Sequence, residues 1–102
     1  MPMFAALVEV CNGPERLRYY FESVSLEGLA DQIIERFHLK EMARDLCSGE
    51  AAAFLQKQRE KQMTADDISG LRIVFPRGSM RCIGCSERET DAAALRERCR
   101  VR

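Results

Sequence analysis

Residues 4–24 read FAALVEVCNGPERLRYYFESV, and the way this stretch is read decides the fold. Phe4, Ala5, Ala6, Leu7, Val8 and Val10 form an apolar run with Glu9 as its one charge. Asn12-Gly13 then offers turn chemistry, because both residue types accept positive φ. From Arg16 the pattern changes: Leu17, Tyr19 and Phe21 alternate with Arg16, Arg18, Tyr20 and Glu22. A period of two marks a strand with one face buried and one face wet. The stretch is therefore expected to be a β-hairpin with Asn12-Gly13 at its tip.

Working outward, Ser25 is placed to cap a helix over about 26–37, whose Leu26, Leu29, Ile33, Ile34 and Phe37 make one apolar stripe. Met42, Ala43, Leu46 and Cys47 give a shorter stripe at about 40–47, and Ser48-Gly49 a stop. A third helix over about 50–62 is anchored by Phe54 and Leu55 and turns polar on all sides from Gln56 to Gln62, so that end is expected to stand in solvent or meet a partner. Thr64 and Asp67 form a capping box for a single turn. LRIVF, at about 71–75, is a short β-branched and aromatic strand that Pro76 and Gly78 close. Ser86 and Glu89 form another capping box, heading a C-terminal helix over about 87–99.

The fold class expected is α+β: the hairpin plus the third strand in a small antiparallel or mixed sheet, packed by helices. At 102 residues, 46% hydrophobic and 31% charged, residues 1–102 suit one domain. Residues 77–102 read as a basic segment that docks loosely as a tail. The start has no basic residue before its apolar run and no small-residue cleavage pattern after it, and Glu9 and Asn12 interrupt that run. Neither a signal peptide nor a membrane span is expected, and the location expected is the cytoplasm.

The net charge is zero, but its distribution is uneven. Residues 1–35 hold two arginines against six carboxylates, whereas every basic group after residue 76 is arginine: Arg77, Arg81, Arg88, Arg96, Arg98, Arg100 and Arg102. Arginine's planar fork suits carboxylate or phosphate, so these residues can meet an acidic partner or the chain's own acidic N-terminal part. Interleaved Glu87, Glu89, Asp91 and Glu97 make nucleic acid an unfavoured partner, since phosphate binding rests on a clear basic excess.

Cys82-Ile83-Gly84-Cys85 is the one stretch that resembles chemistry. A pair at this spacing supplies two zinc ligands, and Cys99 is the nearest candidate third; His38, Cys11 and Cys47 stand alone. Redox chemistry needs a lowered thiol pKa, and Arg81 is adjacent, yet a helix starting after Cys85 would leave Cys82 outside its dipole. The expectation is that these cysteines pack as small apolar side chains and that no cofactor is bound, zinc being the one candidate. Catalytic parts are not recognisable: His38 reads as a helix-end residue, Asp66-Asp67 as dipole complements, and neither Gly-x-Gly-x-x-Gly nor a P-loop occurs.

The function expected is therefore non-enzymatic. The chain reads as a small protein-interaction module, an adaptor or inhibitor of the kind that phages and other mobile elements carry. Its contact residues are expected to be Arg16, Arg18 and Tyr20 on the strand's outer face, with Arg77, Arg81, Arg96, Arg98 and Arg100. The partner is another protein with an acidic surface, or a second copy of the chain. A zinc-stabilised or nucleic-acid-binding regulator using Cys82, Cys85 and the arginine-rich tail, and a thiol-disulfide redox protein, are the alternatives.

Overall fold

A computed structural model describes residues 3–100. Its elements run β1 (Phe4–Asn12), β2 (Glu15–Ser23), α1 (Leu26–Arg36), α2 (Leu39–Asp45), α3 (Gly49–Arg59), α4 (Ala65–Ser69), β3 (Arg72–Phe75), β4 (Gly78–Ser86) and α5 (Glu89–Arg100). The strands make one antiparallel sheet in the order β2-β1-β4-β3. The fold is α+β, as the hydrophobic patterning implies, but the sheet has four strands rather than three.

The hairpin forms, with its turn one residue later than expected. Asn12 pairs with Glu15, and only Gly13 has positive φ, at 63°. The two-residue tip is thus Gly13-Pro14, with glycine at the first central position as a type II′ turn requires. Proline then holds the second position at negative φ without strain.

The fourth strand is the main departure. Residues 78–86, expected to begin a loosely docked tail, form β4, which pairs with β1 along its length and occupies the sheet's interior. Pro76-Arg77 turns β3 into β4, and the missing Cβ of Gly78 lets the Cys11 carbonyl approach. β4 conceals itself in the sequence because its register against β1 shifts between Leu7 and Val8, which breaks the period of two.

Helices cover both faces of this sheet. One face carries the larger core, in which Ala6, Val8 and Phe21 meet Leu29, Ile33 and Leu39, and Ile68, Ile73 and Met80 complete the packing. The other carries a smaller cluster of Ala5 and Leu7 beneath Ala92 and Leu95 of α5. β1 is therefore buried on both sides, and Ala5 through Val8 are all fully shielded. That explains why its sequence is a continuous apolar run while β2 alternates. At roughly 1.5–3 kcal/mol for each fully buried large aliphatic side chain, the two clusters provide most of the driving force.

Caps set the helix ends. The Ser25 hydroxyl accepts from Gly28 N–H at 3.0 Å, and Ser48 from Ala51 N–H at 3.2 Å. Lys61, with φ 55°, ends α3 early by letting Gln62 N–H reach the Lys57 carbonyl at 3.2 Å, so the helix stops at Arg59. The Ser86–Glu89 box does not form: Ser86 is the last residue of β4, its hydroxyl buried without a hydrogen-bond partner, and α5 begins at Glu89.

Thr64 and Asp67 do form a reciprocal box, with Thr64 N–H donating to the Asp67 carboxylate at 2.9 Å and Asp67 N–H to the Thr64 hydroxyl at 3.2 Å. The first of these bonds holds the Asp67 carboxyl below its usual pKa. Stability from that charge is present above the unfolded-state value, about 3.9, and is lost as pH falls through the folded one. Thr64→Ala should cost about 1 kcal/mol in urea unfolding at pH 7. Asp67→Asn should flatten the acid limb of a stability-against-pH profile below about pH 4, and an unchanged limb would contradict this role.

Candidate interaction surface

On the α5 side of the sheet, cross-strand register arranges side chains in rows. Tyr20, Leu7 and Gly84 make one row and Glu22, Ala5 and Ser86 the next; α5 packs over both. Gly84 is small because the space above it belongs to Leu95. At its other end α5 meets Arg18, whose Nη1 donates to the Arg98 carbonyl at 2.8 Å.

Two rows lie past that point. One is Arg18, Glu9, Arg81 and Arg72; the other is Arg16, Cys11, Ser79 and Val74. Arg16, Arg18, Arg72, Arg81 and Val74 are exposed, Val74 at 57%. Glu9 is buried, only 5% exposed, and pairs with Arg16 at 3.6 Å and Arg18 at 3.4 Å. The one carboxylate of these two rows is thus committed to β2. Arg72 and Arg81, directly opposite one another, form no ion pair among the described residues. Like charges so placed repel, which the fold retains at a small cost.

The expected contact residues therefore separate into two groups. Arg16, Arg18 and Arg81 share this face, and Arg77 is exposed at the adjoining β3–β4 turn. Tyr20 instead lies against α5: its hydroxyl donates to Glu22 at 2.7 Å, and the Arg96 guanidinium sits 5.5 Å from its ring centre. Burial, with Glu22 beside it, raises the Tyr20 pKa. Arg96 also pairs with Glu22 at 3.4 Å, which ties α5 to β2. Arg98 and Arg100 lie on α5, and Arg100 approaches Glu97 at 3.7 Å; Arg102 is outside the described residues. Arg72 was not anticipated as a contact residue. The alternation of Arg72 and Val74 with Ile73 carries the signal, but only the register shows what stands beside it.

The cysteine pair is part of a strand. A spacing of three would normally put Cys82 and Cys85 on opposite faces; the extra residue at the register shift puts both against the larger core and turns Ile83 to the other side. Cys99 is on that other side, its thiol donating to the Arg18 carbonyl at 3.5 Å. Cys11 lies near Glu9, Cys47 is exposed between α2 and α3, and His38 joins α1 to α2 with φ 54°. Among the described residues no three His, Cys, Asp or Glu side chains converge as metal ligands.

Burial pushes the Cys82 thiol up and raises the Cys85 pKa to about 11, with Cys82 and Glu87 adding to the latter. At pH 8 a thiol of that pKa is about one part in a thousand thiolate. Iodoacetamide should therefore modify exposed Cys47 at least tenfold faster than Cys85, read by peptide mass spectrometry. Faster labelling at Cys85 would reverse this assignment.

A cleft of about 450 Å³ is lined by Asp31, Glu35, His38, Lys40, Glu41 and their neighbours. Asp31 is engaged by the Gln58 amide, and the mixed charges converge on no point. Among the described residues no helix is long and apolar enough to cross a membrane. Comparison with protein-family models, curated proteins and solved structures finds no match.

Proposed function

We propose that the chain is a cytoplasmic, non-enzymatic protein-interaction module, an adaptor or inhibitor, that recognises an acidic surface on another protein. The observation that carries this reading is the exposed end of the α5-side sheet face, where Arg72 and Arg81 stand together and form no ion pair among the described residues, while Arg16 and Arg18 share the buried Glu9. A partner that brings carboxylates there relieves the repulsion between Arg72 and Arg81. Arginine forks also hold carboxylates with geometric specificity. Exposed aromatic rings, which single-stranded nucleic acid uses for stacking, are missing from these two rows. Free cysteines at all five positions suit a reducing compartment.

The test is titration of a fluorescent octaglutamate peptide at 50 and 300 mM salt. Binding should weaken steeply with salt, and Arg72→Glu with Arg81→Glu should reduce affinity at least tenfold, because rim charges act through screened attraction. Equal binding by the double variant overturns the reading. So does a single-stranded oligonucleotide of matched charge that binds more tightly, or about one zinc per purified chain lost on Cys82→Ser.

A further inference from the structure

The sheet has two edges, and they differ in a way that names a binding mode. On β2, Asn12 and Glu15 close the hairpin, so Arg16, Arg18, Tyr20 and Glu22 turn their backbone groups outward. Two of those carbonyls are already occupied: Arg18 by the Cys99 thiol at 3.5 Å and Glu22 by Gln32 Nε2 at 2.9 Å. Side chains from α5 and α1 therefore obstruct this long edge at two positions. Natural sheets guard their edges in this manner.

At β3 the Leu71 carbonyl accepts from Cys82 N–H at 3.0 Å. Leu71, Ile73 and Phe75 thus turn their backbone groups toward β4, and Arg72 and Val74 turn theirs outward. Among the described residues no hydrogen bond engages these four groups. Beside them runs a groove of about 300 Å³ against α3, lined by Glu50, Phe54, Lys57, Asp67, Leu71 and Arg72 among others. Arg72 and Val74 point to the sheet face that also bears Arg81.

We infer that β3 receives an extended acidic segment of the partner protein as a fifth strand, with carboxylates over Arg72 and Arg81 and apolar side chains in the groove beside Phe54. This rests on the proposed function and specifies its geometry. Backbone hydrogen bonds to Arg72 and Val74 supply the attachment, and alternation of acidic and apolar residues supplies selectivity. A second copy fits less well. Pairing β3 with itself would bring another Arg72 and Arg81 onto the same face.

The probe is an octapeptide in which glutamate and valine alternate, compared with a block octapeptide of equal composition, its glutamates all preceding its valines, and with octaglutamate. The alternating peptide should bind at least tenfold tighter than the block. Val74→Pro removes one outward N–H, which an edge strand tolerates. It should reduce binding of the alternating peptide at least tenfold and leave octaglutamate within twofold. In the unaltered protein, amide exchange at Arg72 and Val74 should slow at least tenfold on saturation with the alternating peptide, and this decides the matter should Val74→Pro fold poorly. Equal affinity for both peptides, unchanged exchange at these amides, or a dimer that Val74→Pro dissolves overturns strand addition. If Val74→Pro has no effect while Arg72→Glu with Arg81→Glu still abolishes binding, strand addition fails and the charge-based reading stands. If neither has an effect, both fail.

Discussion

Gly78→Ala is expected to lower the unfolding free energy by about 3 kcal/mol, the upper end of the range for forcing one methyl group into a packed site. A Cβ at residue 78 would run into the Cys11 carbonyl, with the Phe75 ring 3.1 Å away. That carbonyl belongs to β1 and cannot retreat without disturbing the pairing of Cys11 with Ser79 and Asn12 with Gly78. Gly84→Ala is the informative comparison. There the obstacle is the tip of Leu95, which can rotate, so the cost should be about 1 kcal/mol less. For a domain of this size 3 kcal/mol corresponds to a fall in melting temperature on the order of 15 °C, measurable by circular dichroism. A fall smaller than that of Gly84→Ala would mean that β4 does not lie against β1 as described.

Leu7→Ala is expected to cost about 3 kcal/mol overall and to loosen α5 more than the rest of the fold. Leu7 is completely buried, and among the described residues the other buried members of its cluster are Ala5, Ala92 and Leu95, so the two alanines cannot refill the space. The polar tethers are weak by comparison. Arg96 and Glu22 are 45% and 42% exposed, and pairs of that kind contribute at most about 1 kcal/mol. Apolar contact beneath Leu95 thus decides whether α5 stays docked. Hydrogen exchange in Leu7→Ala should show amides of residues 89–100 losing more protection than those of α1. Equal losses in both helices would mean that α5 opens only with the whole domain.

Where the sequence was legible, one face of an element met solvent and the other met the core. Tyr19 and Phe21 gave β2 its alternation, although Leu17 in the same series is 39% exposed, and Leu29, Ile33 and Ile34 gave α1 its stripe; both elements appear within a residue or two of their expected bounds. Two caps were legible for the same reason, being local: Ser25 and Thr64 each bond a backbone N–H three residues on, whereas Ser48, read as a stop, caps α3 and the Ser86–Glu89 box does not form. The interaction surface was only partly legible. Arg16, Arg18 and Arg81 could be named from their charge, but Arg72 gains its place from pairing with Arg81 across two strands, Tyr20 is half-buried against a helix from the far end of the chain, and Arg96 of that helix is turned toward Tyr20 and Glu22.

By itself, then, the sequence determined the hairpin, the helices, the α+β class and the excess of arginine at its end, because periodicity, capping and charge act over a few residues. Tertiary structure alone decided that residues 78–86 enter the sheet beside β1, since a shifted register and close-approach glycines hide the alternation of that strand. It also decided the meaning of Cys82-Ile83-Gly84-Cys85. The spacing resembles half of a metal site, but the extra strand residue turns Cys82 and Cys85 toward the core, where burial favours their protonated thiols over thiolates, and leaves Cys99 on the other side of the sheet.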